Sequence, residues 1–460
     1  MPEHPDLSAK NTADFDLNDW LAYIEALHPK DIEMGLGRVN QVKDRLNLKI
    51  NFPIITVAGT NGKGSTCAML ESIYHAAGYS VASYSSPHLL RYSERIRVAS
   101  EEISDVDLIL AFQAIEAARQ DIQLTYFEYG TLAAMWHFCA AKVDIAILEV
   151  GLGGRLDAVN VFEPSCAIVT SVDLDHMDFL GNTRELIGAE KAGIFRKGIS
   201  AICGELNPPQ SLVDSAQKIG AALKLIDRDF RFELQENDWC FRSDNYLLDS
   251  IPMPALMGDF QLYNASCVIA AIVDLQDKLP LREEAIEKGL LSVRLHGRYQ
   301  YLSSKPDVIL DVAHNPHAAK SLASNLKNTS TSGKTFAVFA MLADKDIAGV
   351  VNAIADEVDE WYVSGISHIR GAAGVQIKEM ILSELPGASI RLFHDVANAY
   401  AEACIDANEN DRIIILGSFF TVAEVMRALQ TATLKNGINK NGARQYGISE
   451  RARDSIQKTS

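Results

Sequence analysis

Residues 59–66 read Gly-Thr-Asn-Gly-Lys-Gly-Ser-Thr, after the apolar run Pro53–Ala58 and before the helical pattern Cys67–Ile73. A strand, a glycine-rich turn and a helix start together form an anion cradle. Glycines let backbone N–H groups converge on a phosphate, and the helix dipole adds positive potential. Thr60, Asn61, Gly62, Lys63, Gly64 and Ser65 are therefore nucleotide-binding candidates. Lys63 has the reach for outer phosphates, and the hydroxyl of Ser65 or Thr66 suits a magnesium ion. The spacing is not that of the common phosphate loop, because Gly64 separates the lysine from the hydroxyl residue and Gly59 lies too close. That departure argues against a GTPase or a simple kinase. A non-functional glycine turn is the alternative, and the coincidence of strand, glycines, lysine and hydroxyls argues against it.

Two further stretches place acids and a histidine where ligands of an open α/β sheet bind, at the carboxyl ends of strands. Ile145–Val150 ends in Glu149 and runs into Gly151-Leu152-Gly153-Gly154-Arg155-Leu156-Asp157. Glu149 would stand beside the phosphate loop and could hold magnesium, or be a buried strand-end acid satisfied by backbone N–H groups. Ser171–Asp178 closes another apolar strand, and His176 there is a candidate metal ligand or phosphate contact. On residue type alone three features read as structural: Ser86 in Ser85-Ser86-Pro87-His88 as a proline turn, although its hydroxyl could serve a second magnesium, Arg91, Arg95 and Arg97 as a solvated basic face, although they could gate an anionic substrate, and Lys191 as an exposed helix lysine. Towards the C-terminus, Ile309–Val312 runs into Ala313-His314-Asn315-Pro316, with proline at a favoured first helical position. Asp311 and His314 would face the space between domains, although a capping turn would explain them too. Arg298 is a phosphate clamp or an exposed linker arginine, and Ser418 a carboxylate contact or a helix cap.

The elements that must position these groups follow from hydrophobic period. Helical spacing runs from Leu17 to Leu48. Strands are expected at Ile54–Ala58, Val81–Tyr84, Ile145–Val150 and Cys166–Val172, with helices at Asp105–Arg119 and Glu128–Ala141. Residues 222–251 read as a small antiparallel piece, and helices resume at Asn264–Leu279 and Leu281–Leu291. A second alternation starts near Arg298, with strands at Val308–Val312, Thr335–Phe339, Glu360–Val363, Ile390–Phe393 and Arg412–Leu416. Its helices are expected at Pro316–Leu326, Asp346–Val358, Ala373–Leu385, Asp395–Asn408 and Phe420–Leu434. Strands alternating with helices indicate mostly parallel α/β sheets. The organisation expected is a loose segment 1–16, a nucleotide-binding domain 17–296, a second α/β domain 297–435 and a flexible tail 436–460.

The chain has 460 residues, half of them apolar, and a formal charge of −17. That charge disfavours nucleic acid and anionic membranes as partners. No apolar stretch approaches the roughly 20 residues of a membrane span. The N-terminus lacks a signal pattern, so a soluble cytoplasmic protein is expected. Seven cysteines are scattered singly, with no Cys-x-x-Cys pair, which suggests core thiols rather than disulfides or a zinc site.

Taken together, residues 59–65, 86–89, 149–157, 175–176, 190–195 and 311–317 resemble the Mur ligase superfamily, and within it the bacterial bifunctional dihydrofolate synthases/folylpolyglutamate synthases. The resemblance runs from about Asp31 to Leu434. It implies an N-terminal P-loop-type ATPase domain with a mostly parallel sheet, a C-terminal Rossmann-like α/β domain, and an active site in the cleft. It implies ligation of L-glutamate to dihydropteroate and to tetrahydrofolates through an acyl phosphate. By resemblance Ser86, Glu149 and His176 ligate magnesium at two sites, a potassium ion is a further candidate, and Lys191 is carbamylated. Asn264, Arg298 and Asp311 contact ATP, while His314 and Ser418 lie near the incoming glutamate. Lys63, Glu149, His176, Lys191, Asp311 and His314 form the expected catalytic set. The pterin site matches Glu33-Met34-Gly35-Leu36, Thr125-Tyr126-Phe127-Glu128 and Leu156-Asp157-Ala158, with Phe127 offering a flat aromatic face. Gly37, where an acid often precedes Arg38, and Phe420, where a histidine is often found, depart from the pattern. A monomer acting on small molecules is expected. Competing readings are another Mur-type amide ligase and a nucleotide-binding regulator without ligase activity.

Overall fold

The computed structural model describes residues 11–30, 32–329 and 331–437. Of the segments expected to be loose, 1–10 and 438–460 lie outside the described residues. Residues 11–16 are not loose. Asn11 caps a short 3-10 turn at Thr12–Asp14, and Phe15 is buried against the rings of Trp20 and Tyr23. Asp16 then caps the helix Leu17–Ala26 in a reciprocal pair with Asp19. The expected continuous helix from Leu17 to Leu48 is two helices, Leu17–Ala26 and Gly37–Leu46. His28-Pro29 disfavours helical geometry ahead of the proline, and Gly35 has a φ of +152°.

Two compact units form. The first comprises residues up to Ala255 together with Phe260–Arg294, and the second Leu256–Asp259 together with the chain from Leu295. In the first unit the strands are β1 (Ile54–Ala58), β2 (Val81–Tyr84), β3 (Ile96–Val98), β4 (Glu101–Glu102), β5 (Ile145–Glu149), β6 (Cys166–Val169), β7 (Ser200–Cys203) and β8 (Ala222–Leu225). They make one sheet in the order β4-β3-β2-β5-β1-β6-β7-β8. Pairing is parallel from β2 to β8, and β3 and β4 add an antiparallel edge. The chain leaves β1 for β2 on one side, yet passes from β5 to β6 across β1. The carboxyl ends of β2, β5, β1 and β6 therefore lie side by side at a switch point, where α/β sheets bind ligands.

Strands β9 (Phe230–Leu234), β10 (Asp238–Ser243) and β11 (Tyr246–Pro252) form the small antiparallel sheet. Phe232 packs edge-on against Tyr263 of the helix Phe260–Leu275.

The second unit contains β12 (Gln300–Ser304), β13 (Asp307–Leu310), β14 (Thr335–Phe339), β15 (Glu360–Val363), β16 (Ser389–Leu392) and β17 (Arg412–Leu416), in the order β12-β13-β17-β14-β15-β16. All pairings are parallel except that of β12 with β13. One face of its sheet buries Ile309, Ala337, Phe339, Trp361, Val363 and Ile414, and the other buries Val308, Phe336, Val338, Tyr362, Ile413 and Ile415. The fold class is thus α/β with mostly parallel sheets in both units. β3, β4, β7 and β12 are absent from the sequence-based expectation, and β8, expected to be part of the antiparallel piece at 222–251, instead pairs parallel to β7 at the edge of the main sheet. The strands expected at Ile145–Val150 and Cys166–Val172 end earlier, at Glu149 and Val169.

Candidate active site

The glycine loop at 59–62 joins β1 to the helix Lys63–Ala76. Gly62 has a φ of +85° and is the N-cap of that helix, and a Cβ there would run into the amide of Asn264. A Cβ on Gly59 would run into the hydroxyl of Thr170. The loop tolerates no side chain at either place, so its backbone is held close and open to an anion.

What holds it is the segment leaving β6. Thr60 N–H donates to the Ser171 carbonyl (2.9 Å), and Asn61 N–H donates to Ser171 Oγ (3.0 Å). Thr170 Oγ1 donates to the Asn61 carbonyl at 2.6 Å. Thr60 Oγ1 donates to the Asp173 carbonyl and accepts from Asp173 N–H, each at 3.0 Å. Lys63 Nζ folds back over the loop onto the carbonyls of Gly59 (3.0 Å) and Thr60 (3.2 Å). This keeps the ammonium at the loop's rim.

Glu149 ends β5, and its Oε2 accepts the N–H of Ser86 at 3.2 Å. The structure therefore brings Ser86 and Glu149 together across the ends of β2 and β5. Their hard oxygen donors, beside a phosphate cradle, fit magnesium or manganese. His176 is not at a strand end as expected. It lies beyond Val169 in the left-handed region, with a φ of +51°, and starts the short helix Met177–Leu180. Its backbone N–H donates to Asp175 Oδ1 at 2.8 Å.

Lys191, in the helix Arg184–Ala192, is 3% exposed. It is not the solvated lysine that residue type alone suggests. Burial pushes its pKa down to about 7, the charge of Lys63 pushes the same way, and Asp175 and Asp157 oppose. These four groups thus share one electrostatic neighbourhood. The Arg155 N–H, at the end of the glycine run, donates to the Glu190 carbonyl at 2.8 Å and seats the lysine's helix under that run.

A second cluster gathers the expected pterin residues. Arg38 donates to Glu128 (Nη2–Oε1 3.1 Å) and pairs with Glu33 at 3.4 Å. Thr125 and Glu128 form a capping box on the helix Tyr126–Ala141, so both also carry a structural duty. Phe127 lies against Gly151, where a Cβ would strike its ring, and is tilted on Tyr84 at 5.7 Å. Met34 and Leu180 bracket Gly153. Asp157 accepts from Leu152 N–H (2.8 Å) and Val159 N–H (3.0 Å), and burial raises its pKa to about 7. Ala158 is buried in the adjoining 3-10 turn, and Leu156 is half-buried. The basic stretch is only partly a solvated face. Arg97 pairs with the buried Glu71, and Arg95 bonds His88 and lies over the rings of Tyr92 and Tyr126.

In the second unit, Asp311 leaves β13 and accepts from Tyr299 N–H (2.9 Å) and Ala313 N–H (2.8 Å). Burial raises its pKa and the Arg298 charge opposes. Arg298 stacks over Phe419 at 5.2 Å. His314 Nδ1–H donates to the Val312 carbonyl at 2.8 Å, which fixes the ring's tautomer. Asn315 caps the helix Pro316–Asn328. Ser418 is buried, and its Oγ accepts Thr421 N–H at 3.0 Å, so it caps the helix Phe419–Gly437.

Sequence reasoning missed Thr170, Ser171 and Asp173, which latch the loop, and Gln261, which touches both Ser65 and Asn264. Gln261 had a signal: it and Asn264 are polar residues three apart in an otherwise apolar helix. The latch had none without the strand order.

Two family models match the chain: the Mur ligase middle domain over residues 57–272, and the Mur ligase glutamate ligase domain over 297–419. A dihydrofolate synthase/folylpolyglutamate synthase of Escherichia coli K12 is 45% identical over 414 residues, 90% of this chain and 95% of the relative. The structure of E. coli FolC in complex with DHPP and ADP superposes with a TM-score of 0.88 at 45% identity, covering 92% of this chain and 100% of that one. A bifunctional folylpolyglutamate synthase/dihydrofolate synthase with Mn, AMPPNP and L-glutamate bound gives 0.84 at 47% identity, covering 91% and 99%.

Proposed function

This chain belongs to the Mur ligase family, in its dihydrofolate synthase/folylpolyglutamate synthase branch, and from that premise we propose how its residues divide the work. The enzyme is an ATP-dependent amide-forming ligase. It joins L-glutamate to dihydropteroate, giving dihydrofolate, and to the γ-carboxylate of tetrahydrofolates. A substrate carboxylate oxygen attacks the γ-phosphorus of ATP, the bond to the bridging oxygen breaks, and ADP leaves. The glutamate amine then attacks the acyl carbon. Phosphate departs with the former carboxylate oxygen, and the amine gives up a proton.

The observation that carries this reading is the latched loop, with Lys63 at its rim and Glu149 at the adjoining strand end. Backbone N–H groups of residues 62–65, at the start of the helix, receive the phosphates. Lys63 neutralises charge on the transferring phosphoryl group. Glu149, Ser86 and His176 hold divalent cation at two sites, which supplies further charge neutralisation when bound. Lys191, with its pKa near 7, has neutral amine available to add to CO2. An N–C bond forms, one proton leaves, and the resulting carbamate turns a buried cation into an anion that supports the metal. Asn264, Arg298 and Asp311 contact ATP, and His314 and Ser418 serve the glutamate. Residues Glu33–Leu36, Thr125–Glu128 and Leu156–Ala158 receive the pterin, with Phe127 stacking on it. We also assign a cytoplasmic location, which the seven free thiols support, together with a monomeric state and potassium as a further ion.

The test is incorporation of radiolabelled glutamate, with ADP release, using dihydropteroate and tetrahydrofolate separately as acceptors. Both should be extended. ADP formation with a UDP-linked muropeptide instead, or nucleotide binding without ADP formed for any acceptor, would overturn the reading.

A further inference from the structure

Ser65 and Asn264 come from different elements, the helix Lys63–Ala76 and the helix Phe260–Leu275, yet one side chain joins them. Gln261 is 1% exposed. Its Oε1 accepts from Asn264 Nδ2 at 3.0 Å, and its Nε2 donates to Ser65 Oγ at 3.4 Å. A buried amide that leaves either end unpaired is costly, so each bond fixes the sense of the other. With Nδ2 committed to Gln261, the Asn264 amide turns Oδ1 towards Gly62, where it blocks any Cβ. With one lone pair of Ser65 Oγ taken by Gln261, the hydroxyl proton and the second lone pair remain for a ligand at the loop. A free serine rotor and a free amide would each have to be ordered when nucleotide arrives. Here the ordering is done beforehand.

We propose that Gln261 is a positioning residue of the nucleotide site: it sets the hydrogen-bond polarity of Ser65 and Asn264 towards bound ATP without touching ATP itself. The proposal rests on the assignment of the 59–65 loop to nucleotide. A role in packing alone would be indifferent to whether Ser65 carries a hydroxyl, whereas a positioning role acts through it.

The test uses the full-length protein and a double-mutant cycle. Gln261→Met keeps the volume and removes both hydrogen bonds, and Gln261→Glu keeps the acceptor for Asn264 while losing the donor to Ser65. Each is made in the parent and in a Ser65→Ala background. We expect Gln261→Met to raise the KM for ATP and the Kd for Mg-ADP about tenfold, the scale of a lost buried hydrogen bond, with KM for dihydropteroate and glutamate unchanged. In the Ser65→Ala background the same substitution should cost less than about threefold. Equal penalties in both backgrounds, or parallel loss of affinity for all three substrates, would overturn the proposal. If Gln261→Met fails to fold, the Gln261→Glu arm of the cycle decides by the same criterion. Failure of the loop assignment itself looks different: the parent protein would show no saturable Mg-ADP binding at all.

Discussion

Lys63 and Lys191 make opposite uses of the same side chain. Lys63 stays at the loop's rim with its ammonium on two carbonyls, so it is placed as a cation. Replacing it with alanine should lower kcat on the order of a thousandfold while leaving the thermal unfolding midpoint within a few degrees; near-normal ligation by that variant would contradict its role. Lys191 is buried and poised to lose its proton near pH 7. Unfolded, it would titrate near 10.5, so between about 7 and 10.5 the folded protein binds fewer protons, and this group's contribution to stability rises with pH across that window. Lys191→Met should flatten that rise in the melting temperature. The same neutral amine implies that 13C-bicarbonate yields a carbamate 13C resonance at pH 8, weaker at pH 6.5 and missing in Lys191→Met. The motif lysine, Glu149 and Asp311 were legible because their neighbours in sequence announce a strand end. Lys191 and Asp157 were legible only through the resemblance, because their chemistry comes from burial, which residue type does not encode. Gln261 was missed for a different reason: the helix expected from Asn264 begins at Phe260, so the pairing of Gln261 with Asn264 fell outside the expected element.

At the scale of elements, the exit of β6 is the device that shapes the phosphate loop. Thr170→Val preserves shape but removes the donor to the Asn61 carbonyl. It should cost about 1 kcal/mol of stability by denaturant titration and raise the KM for ATP several-fold, with the KM for glutamate unmoved. In the second unit, Asn315 caps the helix that follows His314. Asn315→Ala should cost about 1 kcal/mol by the same titration. Periodicity located most of the helices and the strands that begin the loops. It failed where the chain leaves a strand early: β6 stops at Val169, and Thr170, Ser171 and Asp173 beyond it belong to the latch. It also merged the helices 17–26 and 37–46, because apolar spacing continues through His28-Pro29 while the backbone does not. Strand order, which puts Thr170 and Ser171 beside the loop, is a long-range property that no local pattern carries.

At the scale of the whole molecule, two α/β units each present polar residues at the carboxyl ends of parallel strands, and the chain divides near Arg294. The alternation of strands and helices announced both sheets. The edge strand β12 escaped notice because Gln300–Ser304 is largely polar, and edge strands need bury only one face. A formal charge of −17 surrounds a site for polyanions, so attraction must come from local groups such as Lys63 and bound divalent cation rather than from the overall field. No helix among the described residues is long and apolar enough to cross a membrane. The central claim is that a carboxylate is phosphorylated before an amine displaces the phosphate, and its most direct test follows an oxygen atom. Dihydropteroate labelled with 18O in its carboxylate is turned over with ATP and glutamate, and the released phosphate is analysed by mass spectrometry. The account predicts one 18O in each phosphate formed by ligation. Unlabelled phosphate accompanying labelled dihydrofolate would contradict it.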